Sequence, residues 1–284
     1  EALSWWKTLW RSEMDSIEPT PYISWQIKRK AYADYHLPKF SQQGIVAYKE
    51  SPETLPRFVF IDTAGKESTL FIPSQRNEIN YDVNDSLLVW TERHNHVRWE
   101  NADRSVIKIM DIKNRKCRTL RAECFYTSVS LSAGGDSLVV VSTHLDSRQT
   151  IDVIDLEGRL LRRIEMPQAV NVASPIIATD GTVYAVETSV DGACIVSYPA
   201  NKMLSRHLVA DLGYTNVRYL TLSADTLYFS SDATGVNNIY MYALQSGKLQ
   251  RLTSSLYGAE MPYVRGNTLL YADYSHMGYT PVVS

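Results

Sequence analysis

The sequence predicts an all-β fold: a six-bladed β-propeller of four-stranded antiparallel blades, preceded by a short N-terminal helix. Three observations carry this. Six segments rich in Val, Leu, Tyr and Ser each follow a tight polar turn, starting at residues 44, 85, 136, 181, 225 and 267. That spacing, roughly 40–50 residues, is the length of one propeller blade. Each copy also holds a pattern for four strands. The 284 residues carry 44% hydrophobic and 21% charged side chains and a formal net charge of -2. This composition belongs to a folded globular chain, and neither to a disordered nor to a disulfide-built one.

Residues 1–34 read as a helix and linker. Ser4 suits a helix N-cap, and Trp5, Trp6, Leu9, Trp10 and Ile17 fall mostly at helical spacings until Pro19 and Pro21 end the pattern. Trp5, Trp6, Leu9 and Trp10 form one apolar face, expected to dock on the chain's own body or on a neighbouring domain. A membrane role fits less well, because the polar face is not rich in basic residues. Residues 22–27 alternate apolar and polar, as a strand does. The chain starts at Glu1 without a Met or a leader, and Thr280–Ser284 reads as a strand in progress. Both features favour a segment of a longer protein.

Residues 35–284 read as the propeller. The anchors are Gly44-Ile-Val-Ala-Tyr-Lys, Asp85-Ser-Leu-Leu-Val-Trp, Asp136-Ser-Leu-Val-Val-Val, Gly181-Thr-Val-Tyr-Ala-Val, Asp225-Thr-Leu-Tyr-Phe-Ser and Asn267-Thr-Leu-Leu-Tyr-Ala. A first strand precedes each anchor, as in Val217-Arg-Tyr-Leu-Thr-Leu. Third strands are expected at Phe58–Asp62, Val106–Ile112, Thr150–Leu156, Ala193–Tyr198 and Ile239–Leu244. Turns such as Ala64-Gly-Lys, Glu157-Gly-Arg and Gln245-Ser-Gly-Lys then lead to a fourth strand, with glycine where φ is positive. Alternation within the strands is blurred, because blade sheets are covered on both faces. The sixth copy stops near its third strand. Residues 22–28 are expected to supply its missing outer strand and remove an open edge.

Two stretches carry a family likeness: Ser231-Asp-Ala-Thr-Gly-Val-Asn-Asn-Ile-Tyr through Arg251-Leu-Thr, and Val106-Ile-Lys-Ile-Met-Asp through Arg118-Thr-Leu. Both resemble the blade repeat of TolB-like six-bladed propellers, and the likeness covers about residues 35–284. The arrangement also resembles the propeller segment of large cell-envelope proteins from Bacteroidetes-type bacteria, through Pro38–Tyr48 and Arg57–Asp62. The resemblance implies a binding or docking module, located in the periplasm or cell envelope. Related propellers gate or accompany a protease domain located elsewhere. No catalytic residue transfers, because the repeat motif is structural.

The motifs that could carry chemistry have plainer readings. Gly135-Asp-Ser137-Leu spells the short signature of GDSL hydrolases, yet it coincides with the repeated anchor turn. The sequence holds no GxSxG, P-loop or dinucleotide-binding glycine pattern. His94-Asn-His96 lies in the longest interstrand loop, residues 91–104, and lacks the further ligands a metal would need. Asp62, Asp111 and Asp155 recur late in the third strand and suit turn capping. Cys117, Cys124 and Cys194 are expected to be free, mostly buried thiols. The longest apolar runs are too short to span a bilayer, and the balanced charge argues against nucleic acid.

Topology gathers the remaining candidates. Loops joining strands two and three emerge at the same end of a propeller as loops joining successive blades. That end collects His94, His96, Arg98, Trp99, His144, Asp146, Arg148, Asp232, Asp273 and His276. Binding residues concentrate on loops held by a rigid scaffold. All but Arg148 form the expected binding set, with no catalytic residue, metal or cofactor. The function expected is a non-enzymatic protein- or peptide-binding module, monomeric, whose partner includes the option of a neighbouring domain of the same polypeptide. The alternative is an accessory propeller that gates or presents peptide to a protease domain outside this segment.

Overall fold

A computed structural model describes residues 2–29, 31–74, 80–99, 104–121, 124–200 and 205–284. Helix α1 (Ala2–Asp15) and the short strand β1 (Ile23–Ser24) come first. The first blade is β2 (Asp34–Ser41), β3 (Gly44–Ser51), β4 (Thr54–Asp62) and β5 (Glu67–Phe71). The second is β6 (Tyr81–Val83), β7 (Leu87–His94), β8 (Arg104–Asp111) and β9 (Cys117–Arg121). The third is β10 (Phe125–Leu131), β11 (Ser137–Thr143), β12 (Gln149–Asp155) and β13 (Leu160–Glu165). The fourth is β14 (Asn171–Ile177), β15 (Val183–Ser189), β16 (Gly192–Tyr198) and β17 (His207–Asp211). The fifth is β18 (Val217–Ser223), β19 (Thr226–Ser231), β20 (Asn238–Ala243) and β21 (Lys248–Arg251). The sixth is β22 (Ala259–Arg265), β23 (Thr268–Ser275) and β24 (Gly278–Val283), completed by β1.

Six four-stranded antiparallel meanders therefore make a propeller. In the sixth, Ile23 pairs with Val283 and Ser24 with Val282. The Trp25 N–H extends this seam to the Pro281 carbonyl, and its indole Nε1 donates to the Asp62 carbonyl at 3.0 Å. The core lies between blades, not in one central mass. One cluster joins Val46, Phe58, Tyr81, Leu88 and Trp90 across blades one and two, and Val139, Ile151, Val172 and Val196 do the same across blades three and four. Both faces of a blade are thus dry, which accounts for the blurred alternation.

The aspartates late in the third strands cap turns. Asp62 Oδ1 accepts the Ala64 and Lys66 amides, Asp111 Oδ1 that of Asn114, and Asp155 Oδ1 those of Glu157 and Arg159. The Ser137 hydroxyl donates to Asp136 Oδ1 inside its own turn, as a structural serine does.

Five of the six inner strands share a feature with no sequence signature. β2, β10, β14, β18 and β22 each slip register by a bulge, between His36 and Lys39 in β2 and between Glu260 and Tyr263 in β22. Leu37, Ser174, Tyr219 and Met261 take positive φ there, an unusual conformation for such side chains. Groups released from the ladder find other partners. The buried Tyr81 hydroxyl donates to the Leu37 carbonyl at 2.6 Å, and the Met261 amide donates to Ser230 Oγ at 3.0 Å.

Three local expectations change. Ser4 sits inside α1, its carbonyl accepting the Thr8 hydroxyl, so it is not the N-cap. The tryptophan face of α1 does not dock on the propeller: Trp5, Trp6 and Trp10 are 59%, 46% and 54% exposed and pack mainly on one another. Cys117 is exposed, because β9 is an outer strand, and Cys124 and Cys194 are half-buried.

Candidate functional site

The loop-rich end is built on strand ends that continue into turns. β7 runs through His94, so the loop begins at residue 95, later than the sequence suggests. Residues 100–103 of that loop lie outside the described residues. His96 Nδ1 accepts the amides of Arg98 at 3.3 Å and Trp99 at 3.1 Å, which folds the loop back on itself and leaves the proton of the neutral ring on Nε2. Trp99 is 68% exposed, so it does not pin the loop to blade two. Arg98 beside it is exposed too.

The other candidates are spread around the ring. His144 Nε2 meets Thr150 Oγ1 at 3.2 Å, and that hydroxyl bonds the buried Asp152 carboxylate, which Arg163 also grips with two nitrogens. The Asp146 carboxyl is held below the ordinary carboxylate range by the Arg148 guanidinium, 2.6 Å away; both are exposed. Asp232 Oδ1 accepts the Asn216 amide and ties blade four's exit to blade five. His276 is exposed at the β23–β24 turn. The set is therefore a dispersed rim, not one catalytic cluster. Among the described residues no three His, Cys, Asp or Glu side chains converge as metal ligands.

Asp273 differs from the rest of the rim, because it lines a cavity of about 140 Å³ between the N-terminal segment and blade six. Tyr22, Ser255, Tyr257, Tyr271 and Tyr274 line it as well. Ser255 Oγ donates to Asp273 Oδ1 at 2.8 Å and the Tyr22 hydroxyl to Oδ2 at 3.1 Å. The Tyr22 ring stands edge-on to Tyr271, centroids 6.3 Å apart. Sequence reasoning named Asp273 and missed the tyrosines. Tyr271 and Tyr274 flank it in sequence, but Tyr22 arrives only through ring closure.

Burial pushes the Asp273 carboxyl above the ordinary carboxylate range, and hydrogen bonds from Ser255 and Tyr22 oppose this only in part. The native state thus binds this proton more readily than the unfolded chain. The group favours folding below the ordinary Asp value of about 3.9 and penalises it as pH rises through the higher native value. Asp273→Asn is expected to raise Tm at pH 7 and to leave it near wild type at about pH 3, where both side chains are neutral. Thermal denaturation at the two pH values checks this; a lower Tm at pH 7 would contradict it.

The geometry defines a six-bladed propeller with a loop-built rim and a half-open pocket around Asp273. No family model matches the chain, and no curated protein matches it. Solved structures do. TolB from Acinetobacter baumannii superposes with TM-score 0.61 at 15% identity over 84% of this chain and 63% of that one. The β-propeller domain of the Trilobed protease from Pyrococcus furiosus gives 0.57 at 11% identity over 90% and 93%. An oligogalacturonate lyase solved with manganese gives 0.61 at 10% identity over 90% and 78%. These likenesses establish the shared fold with TolB and related propellers.

They also correct the expectation that the chain is not an enzyme. A lyase superposes on this propeller over 90% of the chain, so the fold is compatible with catalysis as well as with binding. That expectation rested on the absence of a familiar catalytic motif, and a propeller's chemistry comes from loops that need no such motif. Among the described residues no helix is long and apolar enough to cross a membrane.

Proposed function

We propose that this chain is a protein- or peptide-binding propeller module of the cell envelope that engages its partner through the loop-rich end. The observation carrying the reading is Trp99, 68% exposed beside Arg98 on a loop braced by His96. An exposed indole next to a guanidinium is the composition of an interface hot spot. The envelope location rests on the likeness to TolB-like propellers. A second reading, a propeller that presents peptide to a protease domain outside this segment, draws on the fold shared with the Trilobed protease propeller.

Selection of random displayed peptides against the full chain tests the first reading. Trp99→Ala is expected to weaken the selected peptides by about tenfold or more, the effect of removing a hot-spot aromatic. Peptides that bind wild type and Trp99→Ala equally would contradict this use of the rim.

A further inference from the structure

The Asp273 cavity combines features that select for charge. Its lining contains one carboxylate and no Lys, Arg or His. Among the described residues no cation pairs with Asp273; its partners are the neutral hydroxyls of Ser255 and Tyr22. Each carboxylate oxygen keeps a further lone pair. Four tyrosines surround it: Tyr271 is buried beneath, while Tyr22, Tyr257 and Tyr274 are 44%, 61% and 37% exposed around the mouth. Tyrosine π faces attract cations, more strongly where water is excluded. A volume of about 140 Å³ is close to that of an engineered cavity that holds benzene. It has room for the end of a side chain.

From this geometry we infer that the Asp273 cavity binds the cationic end of a Lys or Arg side chain, in a salt link to the carboxylate with tyrosine rings packed around the stem. The inference deepens the proposed peptide-binding role and rests on it for its biological context, but the cavity's preference for a cation is a property of these residues alone. Burial of a half-hidden carboxylate without a counter-charge disfavours folding. A bound cation relieves that penalty, so the same side chain that weakens the free chain strengthens the complex.

The test uses the full chain and four small probes: butylammonium, butylguanidinium, and the uncharged butanol and butylurea. Binding is read by NMR titration of tyrosine ring and backbone signals. Butylammonium or butylguanidinium is expected to shift the signals of Tyr22, Tyr257 and Tyr274 saturably, at least about fivefold tighter than its neutral counterpart. The stronger of the two cations identifies lysine or arginine as the natural guest. Asp273→Asn is expected to erase the preference for charge. Tyr257→Ala, at an exposed position, is expected to weaken both cations about threefold while the fold's other signals stay in place. Equal binding of charged and neutral probes would overturn the inference in favour of an apolar guest, and no saturable shift with any probe would overturn it outright. Because the probes carry no peptide, these results stand apart from the Trp99 experiment, and either reading can fail alone.

Discussion

Removal of residues 1–28 is expected to destabilise the whole ring, by at least about 3–5 kcal/mol, and to make the chain self-associate. The cut deletes β1, which pairs with Val282 and Val283, and the Trp25 amide bonded to the Pro281 carbonyl, leaving the end of β24 from Pro281 to Val283 as an open edge. It also deletes Trp25, whose indole bonds the Asp62 carbonyl of blade one, and Ile27, packed with Trp25 against Tyr35, Ile45 and Ile61. Loss of a half-buried tryptophan and a half-buried isoleucine, together with the hydrogen bonds of β1, accounts for a penalty of about that size. Arg29 lies beyond the cut and keeps its bond to the Ala33 carbonyl at 2.7 Å, so the effect reports on the strand and its anchor. Denaturant unfolding with light scattering measures both parts. A truncated chain of wild-type midpoint that stays monomeric would show that the propeller closes without its N-terminal strand.

Trp90→Ala is expected to cost about 3–5 kcal/mol, the usual range for emptying a large buried aromatic site. Trp90 is 2% exposed in the cluster between blades one and two, with Phe71 and Phe58 ring centroids at 4.9 and 5.2 Å. Its indole Nε1 donates to Glu92 Oε1 at 2.8 Å, while Ser74 holds the other carboxylate oxygen. Alanine would leave a void and a buried carboxylate one donor short, and the second loss adds to the first. Trp90→Phe refills most of the volume and is expected to recover part of the stability, the remainder being the cost of the missing donor. Equal losses for the two substitutions would mean that the Glu92 bond, not the packing, holds this seam. Urea denaturation of the three proteins separates the outcomes.

Much of the fold was legible because its signals are local. An anchor such as Asp136-Ser-Leu and a turn such as Glu157-Gly-Arg each fit within a few residues, and the copies repeat. The bulges at Leu37, Ser174, Tyr219 and Met261 were not legible, since ordinary residues occupy them and the neighbouring strands impose the conformation. The helix face was read correctly as apolar, but periodicity reports only which residues share a face, not whether anything covers it. Site residues divide the same way. The rim set followed from topology, so its members share an end of the ring without forming one cluster. The Asp273 pocket needed three segments, around residues 20, 255 and 273, that only the closed ring brings together. Catalytic capacity was the least legible property, because fold and function are separately encoded.

The most direct test of the binding account is hydrogen exchange of the full chain with and without a selected peptide. Protection is expected at residues 95–99, 144–148, 253–257 and 273–276, all at the loop-rich end. Protection confined to the opposite end, at turns 63–66, 113–116 and 157–159, would contradict the account.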